Sequence, residues 1–339
     1  MSWYNTEGTS PQFYVFSEAQ YLRSPANLPF HTREGEQYDK LLGEIDALMI
    51  QNGFQKEIIP SVPSARGLSL VEKQFVSRDD TSCERILYLN EPCNLAITVG
   101  GRHFFTIRAI LAGHAIEESC NVAAGAEEML DAAFESAYSD ELGYLFADPS
   151  ECGTGATLSA ALYLPSLAYA TSFERLRRDC SRAGAELTPL SAHRGNPGDL
   201  YRLSAAVPRE VGERGCVGRL ETLTEKIVKN EEATLRAIYG EKPARIADRA
   251  CRAYGILSYA KEISEPEFLT LLSQMRLGLI FAPEAMPPFD HLTLNALLAD
   301  GLCGSVAANA IPPCVTEEEA LGARARFTAD VLKTARGEK

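Results

Sequence analysis

"DPSECGTGATLSAALYLPSL", residues 148–167, is the stretch on which the fold turns. A Pro-led, Gly-rich turn (Pro149, Gly153, Gly155) runs directly into an apolar strand, Leu158 to Leu164. Turns of this build present backbone N–H groups to phosphate. Yet the stretch holds no Lys or Arg, and it carries two acids, Asp148 and Glu151. It has the backbone pattern of a phosphate loop and none of the charge.

Upstream of this loop, alternation and turn residues predict strands at 85–89, 95–99 and 103–111, with a Gly-Gly hairpin signal in "ITVGGRHFF". A first strand is expected at 12–16, and helices at 35–52 and 115–138, where apolar residues recur at helical spacing. Residues 60–84, rich in Ser, Pro and charge, read as a loop. Downstream come strands near 143–147, 156–164, 186–190 and 199–206, and a helix at 172–183. Period-two patterning stops after residue 212. A long helix over 216–239 follows, then only helices from 244 onward, punctuated by Pro266, Pro287-Pro288 and Pro312-Pro313. The expected fold is α+β: an antiparallel sheet flanked by helices over residues 1–242, then an all-helical domain over 243–339.

The chain has 339 residues, 45% hydrophobic and 23% charged, with a net charge of −13. Such a balance argues against nucleic acid or an anionic membrane surface as partner, since both demand clustered cations. "MSWYNTEGTS" is polar rather than a basic-plus-apolar leader, and no apolar run approaches about 18 residues. A cytoplasmic location is therefore expected. The nine cysteines are scattered without a Cys-x-x-Cys pair, and the five histidines are isolated, so free thiols and no metal site are expected.

Four stretches occur in one order: "YLNEPCNLAITV" (88–99), "DELGYLFADPSECGTG" (140–155), "LYLPSL" (162–167), and "RAYGIL" with "MRLGL" (252–257, 275–279). Together they resemble the ATP:guanidino phosphotransferases, and among them the bacterial protein-arginine kinases, which carry a helical tail. In that family arginines hold ATP, because planar guanidinium groups meet phosphate oxygens bidentately and offset the charge of phosphoryl transfer. An acid orients or deprotonates the substrate guanidinium.

Position by position, the resemblance implies that this chemistry is missing. The family's Ser-Ser-Arg-x-Arg becomes "FSEAQ", placing Glu18 and Gln20 at the two arginines; Arg23 matches a third, downstream. Asn-Glu-Glu-Asp-His-x-Arg becomes "NEPCNLA": Asn90 and Glu91 remain, while Pro92 stands at the catalytic acid, Asn94 at the stacking histidine and Ala96 at an arginine. Asp148 stands at the substrate-side cysteine, with Cys152 read as an ordinary buried thiol, and Thr157 stands at the arginine that begins the strand. Anchoring on "GDLYRLS" puts Leu187 at a fifth arginine and Ala192 near a glutamate. The tail's phosphoarginine-binding motif falls on "TEEEALGARARF" (316–327), which keeps Arg324 and Arg326 but has acids where the first arginine belongs.

The expectation is a pseudokinase that works through protein contacts, with no cofactor. Its partners would be an active paralogous kinase or that kinase's adaptor, and a second copy of itself. Self-association is expected because "FLTLLSQMRLGLIF" (268–281) and "LTLNALLADGL" (292–302) offer more apolar surface than a short bundle hides. Two other readings stay open. One is a divergent active kinase binding ATP-Mg through cations such as Arg102, Arg108 or Arg194; the other is a small-molecule sensor using the vacated cleft.

Overall fold

The computed structural model describes residues 3–5, 12–30, 34–59, 64–77, 84–167, 173–191, 193–240, 243–287, 289–311 and 316–335. Ten strands are defined: β1 (Tyr14–Arg23), β2 (Gln55–Ile59), β3 (Arg85–Leu89), β4 (Leu95–Val99), β5 (Phe105–Ala112), β6 (Tyr138–Ser139), β7 (Gly143–Tyr144), β8 (Ala156–Tyr163), β9 (Glu186–Pro189) and β10 (Leu200–Ala206). Eight form one antiparallel sheet in the order β2-β3-β4-β5-β1-β8-β10-β9; β6 and β7 pair separately.

The helices are α1 (Glu36–Gln51), α2 (Ala65–Glu72), α3 (Ile116–Asp131), α4 (Phe173–Arg182) and α5 (Gly212–Tyr239), then α6 (Pro243–Tyr259), α7 (Glu265–Phe281), α8 (His291–Asp300), α9 (Cys303–Asn309) and α10 (Glu317–Ala335). Among the described residues no strand follows residue 206, and no helix is long and apolar enough to cross a membrane.

The sheet separates two cores. On one face Tyr21, Ile97, Ile107, Leu158 and Leu162 pack under α1, α3 and α5, around Ile45, Met49, Ala123 and Ile227. On the other, Phe16, Ile110, Ala161 and Tyr163 meet tail residues Phe268, Leu272, Met275 and Leu297. A strand covered on both sides loses the clean apolar–polar alternation of a half-exposed one, and β1 is buried along nearly its whole length.

Three expectations give way here. The helix expected over 115–138 ends at Asp131, and Tyr138–Ser139 form β6. The first strand runs to Arg23 rather than ending at Phe16; the polar Ser17, Glu18 and Gln20 look like a strand end but sit mid-strand. Residues 60–84 were expected as a loop, but 65–72 form α2, whose N-cap Ser64 accepts from the Gly67 N–H at 3.0 Å.

The opening loop owes its glycines to close backbone approach. The Leu22 N–H donates to the Gly155 carbonyl at 2.8 Å, and at Gly155 (φ +57°) a Cβ would stand 2.7 Å from the Leu22 oxygen. Gly143 likewise lies against Gly153, whose carbonyl accepts from the Tyr144 N–H at 2.7 Å. The "LPSL" turn is fixed from α5: the buried Glu231 carboxylate accepts from Ser166 N–H (2.7 Å), Ser166 Oγ (2.6 Å) and Leu167 N–H (2.8 Å).

Polar bonds pin the tail to the sheet. Tyr163 Oη donates to the Ser273 carbonyl at 2.8 Å, and Ser273 Oγ to Asp199 at 2.6 Å. Arg276, its pKa pushed down to about 10 by burial, donates to Asn295 Oδ1 at 2.6 Å. Asn295 Nδ2 in turn donates to the Val15 carbonyl at 3.3 Å. Helix α7 is consequently buried around most of its circumference. Much of the apolar surface of these two stretches is covered within the chain, by the sheet and by neighbouring tail helices, while Leu277, Leu279, Ile280 and Phe281 stay half-buried.

At the start of α8, burial and then Arg276 push the His291 pKa down to about 3. An unfolded histidine titrates near about 6.5. Below that pH the unfolded chain binds a proton that the folded chain refuses, so stability is full above it and falls as pH drops toward the folded value. Unfolding free energies from urea titration should decline from pH 6.5 to 4.5 more steeply for the wild type than for His291→Gln, by up to about 1 kcal/mol per pH unit. Parallel profiles would contradict this.

Candidate functional site

Sheet register brings most of the singled-out positions together. Ala96 of β4 pairs with Arg108 of β5, Arg108 with Gln20 of β1, Gln20 with Thr157 of β8, and Thr157 with Ala206 of β10. This row crosses five strands. One step along, Glu18 pairs with Ile110 and Ser159, and Ser159 with Ser204. Side chains alternate faces along a strand. Glu18, Gln20, Ala96, Thr157, Arg108 and Arg202 therefore share the face toward the tail.

At its centre Glu18 is 2% exposed. Its carboxylate receives Arg108 Nη1 at 3.2 Å, Arg202 Nη1 at 2.8 Å and Ser159 Oγ at 3.2 Å. Gln74, just after α2, closes the cluster: its side-chain oxygen accepts from Arg202 and its carbonyl from Arg108 at 3.5 Å. A buried carboxylate is held by two guanidinium groups and a hydroxyl, the donor set that would otherwise serve a phosphate. Two cations less one anion leaves a formal charge of +1 on the cluster.

The remaining positions lie around this face. Pro92 is exposed at the tip of the β3–β4 turn. Asn94 braces that turn through Asn90, whose Oδ1 accepts from the Asn94 and Leu95 N–H groups at 3.1 and 3.0 Å. Asp148 caps the turn Pro149–Glu151, accepting from the Ser150 N–H at 2.9 Å and Oγ at 2.6 Å. These bonds, and then Arg102, hold its carboxyl below the usual range. Arg102 stands 3.3 Å from Asp148 and 3.0 Å from Glu151, so the loop's acids meet a cation from the β4–β5 hairpin. Cys152 is half-buried, a free thiol near the Asp148 carbonyl. Ala192 lies outside the described residues.

Leu187 does not join the site. Its side chain is buried in the core on the opposite face, opposite Leu203, and it is Thr188 that pairs with Arg202 on the cleft side. The cleft position of β9 is thus Thr188, which is no more cationic.

The other arginines are accounted for locally. Arg23, 2% exposed, stacks on the Tyr144 ring and pairs with Glu127, while donating to the Leu22 and Thr154 carbonyls at 2.6 and 3.0 Å. Arg324 is locked between helices, donating to the Gly301 and Ile263 carbonyls at 2.8 Å each and standing 3.5 Å from Glu265. Arg194, Arg249 and Arg326 are exposed, and exposed Arg252 pairs with Asp248 at 2.9 Å. Arg202 and Gln74 were missed from sequence. Strand alternation in "LYRLSAA" carried the signal for Arg202, since Leu203 and Tyr201 face the other core.

Comparison with known proteins decides what this face belongs to. A family model for the ATP:guanido phosphotransferase C-terminal catalytic domain matches residues 55–234. The chain belongs to the ATP:guanido phosphotransferase family. A second model, for the protein-arginine kinase McsB C-terminal domain, matches residues 243–337.

Among curated relatives of this chain, the protein-arginine kinase of Symbiobacterium thermophilum is 28% identical over 306 residues, 86% of each chain. That of Desulforamulus reducens is 27% identical over 287 residues, covering 81% of this chain and 80% of that one. Solved structures show the fold. The duplicated taurocyamine kinase of Schistosoma mansoni with bound transition-state-analogue components gives a TM-score of 0.58 at 15% identity. That match covers 76% of this chain and 41% of the duplicated one. Lombricine kinase gives 0.53 at 17% identity, over 66% and 67%.

Among the described residues of this phosphotransferase-family chain, no three His, Cys, Asp or Glu side chains gather as a metal site would require.

Proposed function

We propose that this chain is a pseudokinase of the protein-arginine kinase type, a non-catalytic regulatory or scaffolding protein of the cytoplasm. It acts on other polypeptides: an active paralogous kinase or that kinase's adaptor, and a second copy of itself. The observation that carries the reading is Glu18 seated between Arg108 and Arg202. Where phosphotransfer needs a surplus of cations, two arginines are already engaged by a carboxylate of the same chain.

The family's nucleotide, ATP-Mg, does not fit these residues. Gln20, Ala96 and Thr157 offer no positive charge, Arg108 in their row is engaged by Glu18, and Pro92 offers no carboxylate to a guanidinium. Each donor aimed at a transition state is worth roughly 10²–10³ in rate, so the loss of several leaves no useful catalysis.

The experiment is transfer of labelled γ-phosphate from ATP-Mg to an arginine-rich protein, with an active protein-arginine kinase run beside it. The expected result is no transfer above the enzyme-free control. Appearance of phosphoarginine would support the other reading, in which cations such as Arg102, Arg108 or Arg194 rebuild the site.

A further inference from the structure

Between the sheet face bearing Glu18, helices α2 and α9, and the segment after β9 lies a cavity of about 460 Å³. Small-molecule sites span roughly 300–1,000 Å³. The cavity runs from Arg108, which pairs with Gln20 across β1 and β5, toward the Phe16–Leu200 end of the face. Trp3, Phe16, Leu200, Leu269, Leu298 and Leu302 form much of its wall.

Its polar lining includes Gln74, Arg108, His193 and Arg202, with the acids Glu72 and Glu265. Both acids are taken up by the chain's own donors. Glu72 accepts from the Gly304 and Ser305 N–H groups at 2.7 Å each. Glu265 accepts from the Cys303 N–H at 2.8 Å and pairs with His193 at 2.7 Å. Arg202 is bound at both ends, by Glu18 and Gln74.

Arg108 differs. It lines the cavity at 6% exposure, and its Nε has no hydrogen-bond partner among the described residues. An unpaired buried donor is costly, and a guanidinium is matched by a planar carboxylate.

We propose that this cavity binds a small monocarboxylate with a compact apolar body, its carboxylate toward Arg108. The body packs against Phe16 and Leu200 of the sheet and Leu269, Leu298 and Leu302 of the tail. Such a ligand bridges sheet and tail, so its binding strengthens their docking. The cavity shares Arg108 and Arg202 with the candidate site, and binding of a carboxylate there does not depend on whether phosphotransfer is lost.

Thermal melts of the full chain test this with indole-3-acetate and 2-naphthoate, against the corresponding primary amides and inorganic phosphate. A carboxylate well above its dissociation constant should raise the melting temperature by roughly 2–4 °C, with amides and phosphate giving none of the shift. Val71→Trp fills the cavity from α2 and should abolish the response; Leu190→Trp does the same from the opposite wall if the first variant misfolds. No shift with either carboxylate would overturn the proposal. So would equal shifts from the amides, or a response that survives in a folded tryptophan variant.

Discussion

Glu18→Ala is expected to destabilise the folded protein by about 3–5 kcal/mol, the range found when one partner of a buried ion pair is removed. The reason is what remains. Arg108 and Arg202 would face one another across the sheet with no intervening anion, and Ser159 Oγ would lose its acceptor. Arg202 is partly solvated, with 23% of its side chain exposed, which places the effect toward the lower end. Urea unfolding of wild type and variant measures it. Sulfate or phosphate should recover more stability in the variant than in the wild type, because the vacated place lies between two guanidinium groups. A loss below about 1 kcal/mol, the scale of an exposed ion pair, would mean that the cluster is not holding the sheet's centre.

Removing residues 243–339 should cost the protein its cooperative fold. Val15, Phe16, Ile110, Tyr163 and Leu200 belong to the core that the tail shares with the sheet. Exposing five such side chains at about 1.5–3 kcal/mol each amounts to roughly 7–15 kcal/mol, comparable with the whole stability of about 5–15 kcal/mol typical of a domain. The buried bonds of Tyr163 to Ser273 and Val15 to Asn295 would be lost as well. The truncated chain is expected to aggregate or to melt without a cooperative transition. A monomeric 1–242 fragment with a sharp melt would show that the tail is an appendage.

The sequence made the strand run from 85 onward and the helical tail readable, because turn glycines and apolar periods there agree with the final structure. It was misleading where a polar residue sits inside a covered strand. Ser17, Glu18 and Gln20 end an apolar pattern yet continue β1; the burial of Ser17 is made tolerable by Gly113 after β5, and that of Glu18 by partners on β5, β8 and β10, far away in sequence. The short α2 follows a Pro-rich stretch and draws its stability from α9, a contact no local pattern announces. On the site face, family motifs located Glu18, Gln20, Ala96 and Thr157, whereas Arg202, inside the anchoring stretch "GDLYRLS", needed the register of β10 to be placed on that face. The off-by-one at Leu187 had the same source: only strand pairing tells which of two neighbours faces the cleft.

Calorimetric titration of the full chain with ATP-Mg tests the central claim most directly. A charge-assisted contact to phosphate contributes roughly 1.5–3 kcal/mol, while millimolar binding amounts to only about 4 kcal/mol. With Glu18, Gln20, Ala96 and Thr157 in place of cations, no heat of binding is expected up to millimolar nucleotide. A saturable isotherm with a dissociation constant below roughly 100 μM would contradict the account.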